Sequence, residues 1–406
     1  MYKIIISIIL LSVLLFQIGC ADKVNGDNDS EDRVTRIISP FYQQSADDPM
    51  ESPNIPEPPK DVNIKFLAAG DNMIHSNVYE DAFERARDDT PEYNFFDMYE
   101  GVADFIASAD IAFINQETPI AGKEYGYSGY PNFNAPNEAG DALVDLGFNI
   151  INMANNHMLD KWESGLLATM DYFETKDILL IGGYRNAEDY DNIRVYEEED
   201  IKIAFLSYTY GTNGLVLPTG SVHIIPLPSD EVLTRQINLA KEVGDLVFVS
   251  MHWGEEDWFT LSEKQKHYAQ LMVDMGVDVV IGHHPHVLQP VEWASNADGH
   301  QTLLIYSLGN FISTMLYSRN MVGGIATFDI IRKGNDKPYI ANPLITPVMC
   351  HYNTSRRGLQ MYLLENYSEE LVSQHGAQKN GKFTLDTLKS YVTSTISAEF
   401  LPDFYK

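Results

Sequence analysis

The chain has 406 residues, 44% of them hydrophobic and 11% aromatic, enough apolar material for a large core and too much for a disordered chain. Lys and Arg number 28 against 58 Asp and Glu, a formal charge of −30, which excludes a phosphate-backbone binder and electrostatic docking on anionic lipid; no nucleic-acid partner is expected. Two cysteines exclude a disulfide framework and a thiolate-rich zinc site, so any metal must be held by nitrogen and oxygen ligands.

Residues 1–20 read as a lipoprotein signal peptide. Lys3 precedes an apolar run, Ile4 to Phe16, that is shorter than the roughly 20 residues a membrane span needs. Gln17-Ile18-Gly19-Cys20 resembles a bacterial lipobox with Cys20 as the acylated first residue, although Gln17 stands where Leu is usual. An ordinary secretory signal with an incidental cysteine is the alternative. Either way the chain is expected outside the cytoplasm. With the anchor it sits on the outer face of the bacterial cell membrane, and the membrane is a partner through the lipid. Residues 21–60 carry DNDSED, five prolines from Pro49 to Pro59, and nine acids against four bases, and read as a disordered, proline-stiffened tether.

Residues 61–347 read as the folded domain. Strand-like runs at Val62–Ala68, Ile111–Ile114, Phe148–Ile151, Leu246–Ser250, Val277–Ile281 and Leu303–Tyr306 each run into a polar cluster. Between them, Phe96–Ser108, Asn137–Leu146, Glu163–Thr175, Ser229–Val243 and Ser262–Met275 show apolar spacing near 3.6 residues, the pattern of helices. Arg194–Tyr210 reads as a hairpin and Gly323–Arg332 as a further strand. Short strands alternating with helices indicate an α/β fold, in which ligand groups gather at the carboxyl ends of strands. Residues 348–406 read as a C-terminal extension, one or two amphipathic helices packed on the domain, with Cys350 a buried thiol.

The polar clusters carry metal-ligand chemistry. If His284-Pro285-His286 is extended, both imidazoles project to one side and reach one metal, although His283 could replace His284 if the loop turns early. His252 follows an apolar strand and serves as a single ligand. Asp71 supplies a hard oxygen after Gly70, and Glu117 could bridge two ions. Asn156 offers a neutral amide oxygen while His157 beside it stays free as a general acid, with Asp160 orienting the ring; an Asn-rich turn capping a helix near Lys161 is the alternative. This nitrogen-rich set suits Mn, Fe or Zn better than Ca.

The segments GDNMIH, NQETPI, NMANNHMLD, MHWGEE, IGHHPHVLQPVE and YSLGNF, in this order, resemble the CapA family, proteins linked to capsule and poly-γ-glutamate synthesis whose fold is similar to calcineurin-like metallophosphoesterases. The resemblance runs from about Asn63 to Phe311, with weaker agreement to Pro347. It implies a four-layer α/β/β/α sandwich of metallophosphoesterase type with a two-metal site at one edge. Asp71, Glu117, Asn156, His252, His284 and His286 would be ligands, and His157 the catalytic acid. Met73 departs from the phosphoesterase pattern, standing where a histidine is usual with His75 two residues late, and the GDxxD motif is absent. Three functions fit: a metal-dependent hydrolase of phosphoesters or of an amide-linked polymer, a non-catalytic component of a surface-polymer synthesis and export complex, or a solute-binding lipoprotein. The partner implied is a surface polymer or its synthesis complex. The chain's own charge weighs against holding poly-γ-glutamate tightly by surface contacts.

Overall fold

The computed structural model describes residues 60–406, so the expected signal peptide, Cys20 and the tether up to residue 59 lie outside the described residues. β1 (Val62–Asn72) begins by alternating, with Val62 and Ile64 buried and Asn63 and Lys65 exposed, and is buried throughout from Phe66 on. A strand covered on both faces needs that change of pattern. It is followed by α1 (Ser76–Glu84), α2 (Phe96–Ile106), β2 (Ile111–Gln116), α3 (Asn137–Asp145), β3 (Ile150–Asn152), α4 (Trp162–Phe173) and β4 (Leu179–Ile181). α5 (Ala187–Asp191) leads into the hairpin β5 (Arg194–Glu198) and β6 (Ile201–Thr209), turned by Glu199 and Asp200 with φ of 48° and 59°. Positive φ at both turn residues matches the twist of the flanking strands.

The second half contains α6 (Asp230–Val243), β7 (Leu246–His252), α7 (Glu263–Asp274), β8 (Val279–His283), β9 (Val291–Ser295), β10 (Gln301–Ile305) and β11 (Asn310–Ile312). Ser229 caps α6, and Ser262 with Gln265 forms a capping box on α7. β12 (Val322–Arg332), β13 (Tyr339–His351), β14 (Gln360–Leu363), α8 (Glu369–Gln374) and α9 (Leu385–Thr393) complete the chain.

One sheet runs β14-β13-β12-β1-β2-β3-β4, with β11 paired to the end of β1, and the other runs β5-β6-β7-β8-β10-β9. β1 to β4 are mutually parallel, as are β6, β7, β8 and β10. The sheets pack face to face: the Phe66 ring lies 4.7 Å from Phe328 in its own sheet and 5.2 Å from Phe248 and 6.4 Å from Phe205 in the other. Leu233 and Ile237 of α6 and Met272 and Val273 of α7 share a core with Val247, Val249 and Val280 on the outer side of the second sheet. On the first sheet's outer side, Tyr99 of α2 stacks on Phe311 of β11 at 5.4 Å. This is the four-layer α/β/β/α sandwich that the resemblance implies. Among the described residues no helix is long and apolar enough to cross a membrane.

Close backbone approach at one edge draws the strand ends together. A Cβ on Gly70 would lie 2.1 Å from the Gly309 carbonyl oxygen, and one on Gly282 would lie 1.9 Å from that of Tyr306. Only glycine fits at either place, and each immediately precedes a residue that the sequence marks for chemistry, Asp71 and His283.

The boundary drawn at residue 347 falls inside β13, and β14 pairs with β13 from Val348 to His351, so the first sheet extends into the C-terminal segment. Leu388, Val392, Ile396 and Phe400 beyond it join the main core. The segment also encloses two histidines whose rings meet at 5.2 Å: His351 Nδ1 pairs with the Tyr367 hydroxyl at 2.6 Å, while His375 Nε2 donates to the Cys350 carbonyl at 3.0 Å and Nδ1 accepts from the Ala377 N–H at 2.9 Å.

Burial pushes His351 down to about 4 and His375 to about 3. The unfolded segment therefore binds more protons than the folded one below the ordinary histidine value of about 6.5, and stability that is full above that value is lost as the pH falls toward 4. Amide hydrogen exchange should show residues 367–392 opening more readily at pH 5 than at pH 7, by more than α6 does. Equal pH dependence in the two segments would contradict this.

Candidate metal centre

The carboxyl ends of strands from both sheets meet at this edge. Asp71 lies near the end of β1, Glu117 directly after β2, Asn156 and His157 in the turn after β3, His252 at the end of β7, and His284 and His286 in the loop after β8. All are at most 5% exposed. Two groups of donors each lie within 4.8 Å of one another, Glu117 with His284 and His286, and Glu117 with Asp71 and His252. Glu117 is common to both, the position of a bridging carboxylate. Asn156 Oδ1 lies 2.9 Å from His252 Nε2. Adjacent donors on an ion with bonds of about 2.1 Å stand roughly 3 Å apart, so this pair is already at ligand spacing.

The HxH loop is not extended. His284 and His286 have φ of 97° and 55°, both left-handed, and their rings nevertheless stand 5.9 Å apart because each turns in toward Glu117. His283 faces elsewhere. It stacks on Phe113 at 5.7 Å with Nδ1 3.4 Å from Asp71 Oδ1, a charge contact without hydrogen-bond geometry, and it belongs to neither donor group. Between the two alternatives left open above, the geometry favours His284 over His283. His75, displaced by two residues, accepts from the Thr314 N–H through Nδ1 at 3.4 Å and sets its ring against Phe133, outside both groups.

The electrostatics of the cluster suit a cation. Both Glu117 oxygens are buried without a hydrogen-bond partner among the described residues, and Nδ1 of His252 and of His284 is likewise unpaired. Burial pushes the Glu117 carboxyl well above its ordinary value against the pull of His286. Burial also works to raise Asp71, but the imidazoles of His283 and His286 outweigh it and hold the carboxyl well below the usual range. For His286 burial favours the neutral ring, yet the Glu117 charge and the hydrogen bond to Asp71 lift it to about 10. His252 is held well below its ordinary value, and His284 at about 3, by burial and by neighbouring imidazoles. His252 and His284 are thereby kept as neutral donors, whereas Glu117 and His286 hold protons that a divalent ion would displace on binding. The donor set therefore fits divalent metal.

His157 stands beside these groups. Its Nδ1 pairs with Asp160 Oδ2 at 2.7 Å, and the same oxygen accepts from the Phe133 N–H at 2.7 Å. Its backbone N–H donates to Asn155 Oδ1 at 3.0 Å. Nδ1 is thus committed to Asp160, which leaves Nε2 for proton transfer. Asn213 approaches from the loop after β6, 3.3 Å from Asn156 Nδ2.

Sequence reading missed a buried ladder behind Asp71. Asn115 Nδ2 donates to Asp71 Oδ1 at 2.8 Å, Asn152 Nδ2 donates to Asn115 Oδ1 at 2.9 Å, and the Ser207 hydroxyl of the other sheet donates to Asn152 Oδ1. Asn310 was also missed; its Oδ1 lies 3.0 Å from His286 Nδ1. The only available signal was position, since Asn115 and Asn152 fall at or next to the ends of the apolar strands β2 and β3. Two clefts of about 540 Å³ open elsewhere, lined by residues such as Lys60, Arg332 and Lys337 or Lys241, Trp293 and His300, and contain none of the site residues.

Residues 65–315 match the family model described as bacterial capsule synthesis protein PGA_cap. The capsule biosynthesis protein CapA of Bacillus anthracis is 32% identical over 211 residues, 50% of this chain and 49% of that one. The PGA biosynthesis protein CapA of Bacillus subtilis (strain 168) is 28% identical over 219 residues, 53% of this chain and 55% of that one. The chain thus spans about half the length of these relatives. The solved calcineurin-like phosphoesterase YfkN from Bacillus subtilis is 11% identical with a TM-score of 0.41, over 82% of this chain and 97% of that one; a score this low adds nothing to the sandwich that strand pairing defines.

In the metal-free protein the raised Glu117 costs stability above its unfolded value, because the unfolded side chain ionises at a lower pH than the folded one. Glu117→Gln should therefore leave metal-free protein at pH 7 as stable as wild type or more so. Saturating Mn²⁺ or Zn²⁺ should stabilise wild type by about 3–4 kcal/mol at 100 to 1,000 times Kd, and the variant by far less. Equal metal-dependent shifts in thermal unfolding would remove Glu117 from the site.

Proposed function

The chain belongs to the bacterial capsule synthesis protein PGA_cap family, and from that premise we propose that it is an extracytoplasmic, lipid-anchored component of capsule or poly-γ-glutamate-type surface-polymer synthesis, with a divalent-metal hydrolase centre. The observation that carries the hydrolase reading is the fully buried, unpaired Glu117 carboxylate shared by two donor groups, with a carboxylate-oriented histidine alongside. Asp71, Glu117, Asn156, His252, His284 and His286 would hold two ions of the Mn, Fe or Zn type. Such ions polarise a substrate oxygen and lower the pKa of a bound water.

The protein's own residues supply orientation and the proton. Asp160 accepts from Nδ1–H and steadies the doubly protonated His157 ring, from which Nε2–H gives a leaving oxygen or nitrogen the proton it needs. The ring lies edge-on to Phe133 at 4.7 Å, which limits its rotation and screens it from bulk water. Asn115, Asn152 and Ser207 hold Asp71 at a fixed angle without occupying the oxygen that faces His286.

With Mn²⁺ and a generic phosphodiester or a γ-glutamyl polymer, His157→Ala should lower turnover by roughly 10²–10⁴-fold with metal content unchanged, and Asp160→Asn should act in the same direction. Undiminished turnover would take His157 out of the mechanism. The location is tested separately: Cys20→Ser should move the protein from the membrane fraction to the medium and abolish labelling by a fatty-acid analogue. A variant that stays membrane-bound would overturn the anchor.

A further inference from the structure

An aromatic side chain joins the ligand rings to solvent. Tyr210 directly follows β6, and its backbone N–H donates to the His252 carbonyl at 3.0 Å, just beyond the pairing of Thr209 with His252. The backbone therefore fixes where the ring begins. Its centroid lies 4.6 Å from that of His284 and 6.3 Å from that of His252, nearly parallel to the latter at 8°. The two imidazoles stand 4.9 Å apart. His284 belongs to one donor group and His252 to the other, so the phenol spans both. Both histidines are buried and Tyr210 is 47% exposed, so one face packs on the ligands and the rest meets solvent.

The hydroxyl is free to donate. Burial and then the Glu256 and Glu117 charges push it up, while the Asn156 amide acts against them, as a donor to the phenol oxygen does. Asn156 Oδ1 faces His252 Nε2 at 2.9 Å, which leaves Nδ2 to meet the hydroxyl. Nδ2 carries two hydrogens, and Asn213 takes one at 3.3 Å. The phenol's own proton has no partner among the described residues. Packing on His284 and His252 uses the ring; nothing in the fold uses that proton.

The chemistry of the site needs such a donor. Hydrolysis of a phosphoester or an amide builds negative charge on an oxygen of the reacting centre. The residues assigned to the site include no lysine or arginine, and the exposed Glu255 and Glu256 on the loop after β7 add negative charge nearby. A neutral donor is worth most where cationic side chains are absent and water is largely excluded. We propose that Tyr210 is a further catalytic residue, its hydroxyl donating a hydrogen bond to the substrate oxygen on which that charge develops. The proton stays on the phenol, and His157 remains the source of the one that the leaving group takes. This rests on reading the edge as a hydrolase centre, and applies to a phosphoryl or an acyl oxygen alike.

The test compares Tyr210→Phe, which keeps the ring, with Tyr210→Ala and wild type in Mn²⁺-loaded full-length protein. Turnover is measured on bis(p-nitrophenyl) phosphate and on a γ-glutamyl oligomer, and orthovanadate binding by calorimetry. Tyr210→Phe should keep the metal content and thermal midpoint of wild type. It should lower kcat about 10²-fold with KM little changed, and weaken vanadate binding about tenfold. A fall on the phosphodiester alone assigns the contact to a phosphoryl oxygen, and on the oligomer alone to an acyl oxygen. The proposal is overturned if Tyr210→Phe keeps wild-type kcat, or keeps wild-type vanadate affinity where neither substrate is turned over. A loss confined to Tyr210→Ala marks a ring that only packs, and overturns it too. Wild type that turns over neither substrate but binds vanadate, less tightly after Tyr210→Phe, sinks the hydrolase reading and leaves the hydroxyl contact standing. Wild-type turnover that Tyr210→Phe leaves undiminished does the reverse.

Discussion

A carboxylate at zero exposure with neither oxygen hydrogen-bonded is the constraint around which this edge is organised. Left alone, an ionised Glu117 would cost several kcal/mol, and proteins tolerate such a group only when it is protonated, paired or bound to metal. The neighbours are arranged accordingly. His286 Nε2 and His252 Nε2 each stand 3.7 Å from Glu117 Oε1, close enough for charge and too far for a hydrogen bond to satisfy the oxygen. Asp71, by contrast, accepts from Asn115 through Oδ1 and pairs with His286 through Oδ2. One carboxylate is held in place with lone pairs to spare and the other has no partner, a division that makes sense when ions are held by both.

The site is also a junction between the two sheets. Asp71, Glu117 and Asn156 come from the first sheet and its loops, His252, His284 and His286 from the second. Neither half has a complete donor group by itself. Glycines at 70 and 282 allow the strand ends to approach, and the ladder from Asp71 through Asn115 and Asn152 to Ser207 crosses from one sheet to the other. The Asp257 carboxylate locks the loop after β7 to Arg319 at 3.0 Å, and its N–H donates to the Pro285 carbonyl at 2.8 Å, so the histidine loop is braced from behind. A donor set separated so widely in sequence forms only when the whole sandwich has folded, which couples metal affinity to global stability.

Much of this was legible because parallel strands buried on both faces leave continuous apolar runs, and the polar residue that ends each run falls at the same edge. Asp71, Glu117, His157, His252 and His286 could be named on that ground alone. Other features leave no such mark. The left-handed backbone at His284 and His286 leaves no mark in the sequence, so the condition that His-Pro-His be extended is not met. β14 is four residues long and pairs only because β13 presents an edge to it, which helical periodicity in the tail cannot anticipate. Asn115 and Asn152 read as ordinary strand-end amides until the pairing of β1, β2 and β3 aligns them into a ladder.

The central claim is that Glu117 is shared between divalent ions, and anomalous diffraction tests it most directly. Crystals of the protein grown with Mn²⁺ should give anomalous peaks within bonding distance of the Glu117 carboxylate, flanked by His284 and His286 on one side and by Asp71 and His252 on the other. A fully occupied Mn²⁺ structure with no peak at Glu117, and with its carboxylate protonated and hydrogen-bonded in place of an ion, would contradict the account.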